Sequence, residues 1–155
     1  MTTTKRRKER QELNPDLGVL ASLLLLSLQD ELFARLAEAG YDDLQPRHGA
    51  VLAYLDEDGI RATDLSRLSG RHKQIVGRII DELESLGYVE RRPDPEDRRA
   101  KLIFPTERGL EQIRLEDKIV ADIEARHADA LGGRTYAQFR DILRGMVARR
   151  SPAAA

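Results

Sequence analysis

The order of elements predicted between residues 62 and 105 constrains the fold more than any other feature of the chain. Two apolar-patterned helices are separated by a Ser-Gly pair, a glycine ends the second helix, and two short strands flank a loop rich in proline and acidic residues. In order, these are a compact helix with Leu65 and Leu68, the Ser69-Gly70 turn, a helix from His72 to Leu86, Gly87, a strand over 88–92, the loop Pro93-Asp94-Pro95-Glu96-Asp97, and a strand over 101–104. Two helices joined by a tight turn and followed by a hairpin with a charged tip predict a winged helix-turn-helix.

The second helix of this pair has one apolar side and one polar side. The side predicted to pack inward carries Ile75, Val76, Ile79, Ile80, Leu83 and Leu86. The other side carries Lys73, Gln74, Gly77, Arg78 and Asp81, mostly in its N-terminal half. Glutamine can bond adenine, and arginine or lysine can reach guanine or phosphates, so this half predicts a helix that reads the major groove. Gly77 would let the helix approach DNA closely, although a merely solvated charged face is the simpler alternative.

The hairpin that follows predicts a second DNA contact. Arg98, Arg99 and Lys101 cluster at its tip and return strand, and Arg91 and Arg92 lie on the outgoing strand. A basic loop of this size can enter a narrow minor groove, which attracts arginine. We expect Asp97 to orient one of these arginines. The acidic residues Asp94, Glu96 and Asp97 partly offset the positive field, so the alternative is an ordinary charged hairpin tip.

Helices at both ends of the chain predict a dimerisation region. Residues 14–40 carry a leucine stripe too wide for one core-facing helix, which indicates that a second chain covers the extra face. We expect Asn14 and Pro15 to start this helix, Thr63 to cap the compact helix, and Thr106 to cap the helix after the hairpin. The residues predicted to join two chains are Leu20, Leu24, Phe139, Ile142, Leu143 and Met146.

These patterns predict a mainly α (α+β) fold within one domain. Residues 1–13 form a flexible basic arm, 14–150 the domain, and 151–155 a loose tail. Within the domain, 46–105 form the winged helix-turn-helix, beginning with a short helix from Pro46 to about Glu57. Residues 14–40 and 107–150 form the dimerisation helices, with a break at Gly132-Gly133 in the second region.

Composition narrows the functional classes. Charged residues make up 34% of the 155-residue chain, above the roughly 25% of typical soluble domains, yet the net charge is only −1, so any DNA contact requires locally placed charge. The absence of cysteine excludes thiol chemistry and fits a cytoplasmic protein. The N-terminus lacks a signal-peptide pattern, and the apolar run 17–28 is shorter than the roughly 18 residues of a membrane span.

Catalytic and metal sites find little support in the sequence. His48, His72 and His127 lack ligand-type spacing, so we expect no metal, and we expect no cofactor. Nothing pairs a nucleophile with a base and an orienting group, which argues against an enzyme such as a small-molecule hydrolase. Arg47 and His48 are weak candidates for lining a ligand cavity. A capping or surface role for His48 is the alternative.

The stretch from residue 62 to residue 109 resembles the MarR family of transcriptional regulators. The segments that carry the resemblance are Leu65-Ser66-Arg67-Leu68-Ser69-Gly70, Lys73-Gln74, Gly77-Arg78-Ile79-Ile80-Asp81-Glu82-Leu83-Glu84-Ser85-Leu86-Gly87-Tyr88-Val89-Glu90-Arg91, Arg92-Pro93-Asp94-Pro95-Glu96-Asp97-Arg98-Arg99-Ala100-Lys101 and Pro105-Thr106-Glu107-Arg108-Gly109. The wing segment is the most specific of these. Arg71 and His72 depart from the family pattern, which usually has an apolar residue and then serine or threonine there.

The resemblance implies a homodimer held by the first helix and the last two, binding to a pseudo-palindromic double-stranded operator, and release by a small molecule. Carried over by position, Lys73, Gln74 and Arg78 would face the major groove, and Asp97 with Arg99 would form the wing pair. We therefore expect a cytoplasmic regulator, specifically a repressor, released by an anionic or aromatic ligand. The alternative is a winged-helix module that binds another protein and does not read DNA.

Overall fold

The structure is a computed structural model that describes the backbone of residues 2–149 and the side chains of residues 6–149. Within these described residues it contains seven α-helices, one 3-10 turn and three strands. The helices are α1 (Thr2–Leu13), α2 (Leu17–Glu38), α3 (Gly49–Leu52), α4 (Ala62–Ser69), α5 (Lys73–Ser85), α6 (Glu107–Leu131) and α7 (Gly133–Ala148); the 3-10 turn is Pro46–His48; the strands are β1 (Ile60–Arg61), β2 (Val89–Pro93) and β3 (Lys101–Pro105). The expected loose tail, 151–155, lies outside the described residues.

The N-terminal segment differs from the expected flexible arm, because it forms helix α1. Lysine, arginine, glutamate and glutamine are good helix formers, and Lys8 pairs with Glu12 one turn later at 3.7 Å. Residues 6–10 are nevertheless exposed. Local propensity, not packing, therefore accounts for this helix.

Helix α2 begins two residues later than the sequence suggested. Asp16, not Asn14, is the N-cap, and its Oδ1 accepts the backbone N–H of Val19 at 3.0 Å. The Asn14 N–H instead closes α1 by donating to the Arg10 carbonyl. An aspartate in extended backbone satisfies an N–H group that the helix itself leaves unpaired.

Helix α2 spans 22 residues and is apolar enough, by length and composition alone, to cross a membrane. The apolar run 17–28 thus understated the length of the helix that contains it. Its C-terminal half nevertheless belongs to the protein core: Leu36 is fully buried, and Leu28, Leu32 and Phe33 pack against the same core. One such helix is by itself weak evidence for a membrane span, because the core helix of a soluble protein passes the same test.

A small helical lobe surrounds the predicted turn. Gly70 ends α4 with a φ of +67°, a left-handed conformation that favours glycine, and this confirms the turn between α4 and α5. Thr63 is not the cap of α4. The helix begins at Ala62, directly after β1, so that Arg61 occupies the cap position without a capping side chain. The short helix expected from Pro46 is also divided, into the 3-10 turn and α3, and ends at Leu52.

The three strands form an antiparallel sheet in the order β1-β3-β2. Arg91 of β2 faces Ile103 of β3, and Ile60 of β1 faces the same residue from the other side. The hairpin was predicted to within one residue at each end. The sequence did not reveal β1, because two residues are too few to show an alternating pattern.

The main core lies between the helical lobe, the sheet and α6. Its buried side chains are Leu36, Leu44, Val51, Leu52, Leu55, Leu65, Val76, Ile79, Ile80, Leu83, Tyr88, Val89, Ile103, Ile119 and Ile123. Thr106 caps α6 as expected, because its hydroxyl accepts the Gly109 N–H at 3.1 Å. Gly109 also permits close packing, since a Cβ there would lie 2.1 Å from the Tyr88 carbonyl oxygen.

The long helices leave an apolar surface uncovered in the single chain. The six residues predicted to join two chains are all exposed by 38 to 64%; they are Leu20, Leu24, Phe139, Ile142, Leu143 and Met146. We call these six residues the dimerisation surface. Helix α7 has no buried residue of its own, and a cleft of about 400 Å³ runs along it beside Ile142 and Met146. An apolar surface of this kind indicates an interaction site.

Candidate nucleic-acid interface

Helix α5 separates its core side from its polar side largely as predicted. Val76, Ile79, Ile80 and Leu83 are buried. Lys73, Gln74 and Arg78 are exposed, and Gly77 has no atom within 4 Å of the position that a Cβ would occupy. The helix therefore presents these four positions away from the core. Their contact with DNA stays a prediction.

Ile75 is an exception to the predicted apolar side. It is 43% exposed, although it was expected to pack inward with its apolar neighbours. The reason is rotational: a residue one position before Val76 lies about 100° around the helix, at the margin of the buried stripe.

The N-terminus of α5 has no side-chain cap. His72 is the N-cap residue in extended backbone, and its side chain makes no capping bond to the helix. The first backbone N–H groups of a helix are orphan donors, and together with the helix dipole they favour a phosphate. Arg71 and Lys73 flank this end and are exposed. The two departures from the family pattern thus leave an electropositive helix start.

The wing combines a fixed tip with unpaired positive charge. Asp97 Oδ1 accepts the backbone N–H of Arg99 at 3.0 Å, and the Asp97 carbonyl accepts the N–H of Ala100 at 2.9 Å. Asp97 therefore shapes the backbone of the tip rather than orienting an arginine side chain. Arg98, Arg99 and Lys101 are exposed and form no ion pair with any described residue.

Arg91 and Arg92 have a different role from the one suggested by sequence. Arg91 forms ion pairs with Asp81 and Glu84 of α5, and Arg92 pairs with Glu90 and lies 4.5 Å above the Phe104 ring. Both guanidinium groups are therefore engaged within the protein. Arg91 joins the hairpin to α5, whereas the contacts of Arg92 lie within the hairpin itself.

The buried carboxylate of Asp94 anchors the base of the wing, a role that the sequence did not reveal. Asp94 is 4% exposed, and its Oδ2 accepts from Arg61 Nε at 2.7 Å. Its Oδ1 accepts the backbone N–H of Glu96 at 2.9 Å. These hydrogen bonds, that of Glu96 first and then that of Arg61, lower the pKa of Asp94. The local sequence offered the Asp94-Pro95 pair, which indicates a turn but does not reveal that Arg61 is the partner of Asp94.

Arg47 and His48 do not fit the ligand-binding role considered for them. Both contact Glu82 of α5: Arg47 Nε at 2.8 Å and His48 Nε2 at 3.0 Å from the same oxygen. The other ring nitrogen of His48, Nδ1, accepts the backbone N–H of Gln45, so this buried imidazole has no nitrogen left for a ligand. Arg47 and then His48 lower the pKa of Glu82. The bond to Gln45 gives His48 the capping role considered as the alternative, and the contacts to Glu82 fix the 3-10 turn to α5.

A second network, centred on the buried Tyr88, connects α6 to the end of α5. The hydroxyl of Tyr88, a fully buried residue, donates to Asp43 and accepts from Arg108 Nη2 at 3.0 Å. Arg108 also binds Asp43 and the Leu86 carbonyl, and its guanidinium lies 4.5 Å above the Tyr88 ring. Burial, and then the bond to Asp43, raise the pKa of Tyr88. These contacts join the start of α6 to the C-terminal end of α5.

No group of three histidine, cysteine, aspartate or glutamate side chains suited to a metal ion occurs among the described residues. A polar cleft of about 440 Å³ lies beside Asp94, between β1 and the wing, and is lined partly by Asp64 and Glu96. Its carboxylates would repel phosphates, so it does not extend the positive surface formed by α5 and the wing tip.

Comparison with known proteins agrees with this geometry. A family model described as MarR family matches residues 42–100. The transcriptional repressor MprA of Escherichia coli (strain K12) is 30% identical over 114 residues, which are 71% of this chain and 65% of the repressor. The chain thus spans just under two thirds of the length of that curated relative.

Solved structures extend the similarity over most of the chain. CouR from Rhodococcus jostii RHA1 bound to p-coumaroyl-CoA is 26% identical, with a TM-score of 0.73 over 90% of this chain and 96% of CouR. CouR bound to a 23-mer DNA duplex is 27% identical, with a TM-score of 0.68 over 90% of this chain and 94% of that chain. The winged helix-turn-helix matches the MarR family model over residues 42–100, and with its flanking helices it shares the fold of these regulators over about 90% of the chain.

Proposed function

We propose that the protein is a sequence-specific DNA-binding transcriptional regulator. In this proposal it is a cytoplasmic repressor that binds a pseudo-palindromic operator as a homodimer and is released by a small anionic or aromatic ligand. The observation that carries the proposal is that some basic side chains form ion pairs within the protein and others do not. The arginines that hold the fold together are ion-paired, whereas Lys73, Arg78 and the wing-tip cations form no ion pair within the described residues. A polyanion would supply the missing partners.

The two halves of this surface would read DNA differently. Gln74 and Arg78 lie on the exposed side of α5 and can reach base edges in the major groove. Arg99 lies at a tip whose backbone is fixed by Asp97, a position suited to a narrow minor groove. Lys73 and the open N-terminus of α5 would bind phosphates and set the register of the helix.

The dimerisation surface supports the homodimer. Six apolar residues exposed on two long helices would be covered by the same surface of a second copy, as a two-fold interface requires. Two copies of α5 would then face successive turns of the major groove. Half-sites about 10 base pairs apart are expected for this arrangement.

The proposed ligand response is supported by the related CouR, whose structure contains p-coumaroyl-CoA, an aromatic and anionic compound. Regulation requires that such a ligand bind one state of the protein better than the other. Arg47 and His48 are not its contacts in this proposal, because Glu82 already engages both.

Selection of bound sequences from a random DNA pool tests the proposal. We expect a two-fold symmetric site, and loss of discrimination between this site and scrambled DNA in the Gln74→Ala, Arg78→Ala double variant. Arg99→Ala should weaken binding with less change in base preference, most where the minor groove is rich in A·T pairs. Lys118→Ala on α6 is the control, since it removes one positive charge outside the proposed interface.

The alternative is a winged-helix module that binds a protein and does not read DNA. It would replace the proposal if selection enriched no sequence, or if every variant bound the selected site with wild-type affinity and salt dependence. A phosphate contact should change the salt slope by about one when it is removed, which separates it from a base contact. Screening aromatic carboxylates for release of the site then tests the ligand response.

A further inference from the structure

Ile75, in the first turn of α5, is an apolar residue whose side chain is partly exposed. Its 43% exposure contrasts with 4% for Ile79, one turn later on the same helix, and with 0% for the adjacent Val76. Residues three apart on a helix are neighbours, so Ile75 shares a face with Arg78, while Gln74 precedes it directly. Ile75 thus lies at the margin of the buried stripe, next to Arg78, one of the proposed base contacts.

Burial accounts for only part of the isoleucine at this position, which is 43% exposed. A β-branched residue lowers helix propensity relative to alanine or leucine, and its exposed part gains nothing from burial in the free protein. The dimerisation surface lies on α2 and α7, so α5 is not part of it. An apolar group that shares a face with Arg78 and directly follows Gln74 is instead placed to lose its water when those side chains bind DNA.

The chemistry of the major groove identifies the DNA group that Ile75 would contact. The base edges there present nitrogen and oxygen acceptors and amino donors, all polar, with a single apolar group, the 5-methyl of thymine. An isoleucine against a polar edge would leave a donor or acceptor unpaired, which is costly. From this placement we infer that Ile75 is a specificity-determining residue that contacts a thymine 5-methyl group in the bound operator. The inference rests on the proposed function and adds a base preference to it.

Replacing thymine with deoxyuridine removes this methyl group and leaves base pairing unchanged. Burial of one methylene-sized group contributes about 0.8 kcal/mol, which corresponds to about fourfold in affinity. We therefore expect one thymine in each half-site of the selected operator whose replacement by deoxyuridine weakens wild-type binding about fourfold. Ile75→Ala should bind the thymine and deoxyuridine operators equally. Lys73→Ala is the matched control, which should weaken binding to both while keeping the preference for thymine.

The outcomes separate this inference from the proposed function. If the wild type binds the operator specifically but tolerates deoxyuridine at every position, the inference is wrong and the regulator assignment stands. The same holds if Ile75→Ala keeps the full preference for thymine. If selection enriches no DNA sequence, both fail. The wild-type titrations do not depend on any variant, and circular dichroism melting checks that Ile75→Ala is folded.

Discussion

Replacing Gly77 by alanine should separate a structural role of this glycine from a functional one. Gly77 lies inside α5, and a Cβ there would meet no atom within 4 Å. Alanine is favoured over glycine in a helix interior by about 1 kcal/mol, so the free protein should become more stable. For a chain of this size that corresponds to a rise of roughly 2–4 °C in Tm.

The same methyl group should weaken DNA binding. Gly77 is on the side of α5 that carries Gln74 and Arg78, and we interpret its missing side chain as room for close approach of the helix to the groove. A methyl group forced into a well-packed contact costs roughly 1–3 kcal/mol, which corresponds to roughly five- to 150-fold in affinity. Stability and affinity should therefore change in opposite directions.

Two measurements on one variant test this reasoning. Thermal unfolding at fixed protein concentration reports stability, and fluorescence anisotropy with the selected operator reports affinity. Gly49→Ala in α3 is the matched control, because a Cβ there also meets no atom within 4 Å and α3 carries no proposed DNA contact. A stabilised Gly77→Ala protein that binds operator like the wild type would refute the close approach of α5 to DNA at this residue. A destabilised variant would refute the inference that a methyl group fits at residue 77 in the free protein.

Three further perturbations test the assembly and the internal networks. Leu143→Asp places an unpaired charge in the dimerisation surface and should convert dimers to monomers or unfold the protein, as sedimentation velocity would show; a monomeric wild type would contradict it. Tyr88→Phe removes the hydrogen bonds to Asp43 and Arg108 and should lower the free energy of unfolding in urea by about 1–3 kcal/mol. An unchanged free energy of unfolding would show that these hydrogen bonds do not stabilise the protein. The pKa of Glu82 is lowered in the folded protein, so the stabilisation from its ionised carboxylate is present at neutral pH. This stabilisation is lost as pH falls below about 4.3, the ordinary pKa of glutamate, and through the lower folded pKa. Glu82→Gln should therefore reduce the fall of Tm at acid pH, and parallel curves of Tm against pH for variant and wild type would contradict this.

Local patterns in the sequence determined the helix-turn-helix, the hairpin and most of the polar side of α5. Helix and strand periodicities, and the glycine at the turn, depend on neighbours within a few residues, so they can be read along the chain. The Thr106 cap is of the same kind. The predicted caps were wrong at Asn14, where Asp16 is a competing cap two residues later, and at Thr63, where β1 leads directly into α4.

Only the tertiary structure decided which charges are available to a partner. Arg91, Arg92, Arg98 and Arg99 look equivalent in sequence, yet the first two form ion pairs with residues 81, 84 and 90, and the last two do not within the described chain. Likewise, Arg61 meets Asp94 across 33 positions, and His48 meets Glu82 across 34. An ion pair depends on distance in space, and the sequence does not record that distance until β1, the wing and α5 are packed together.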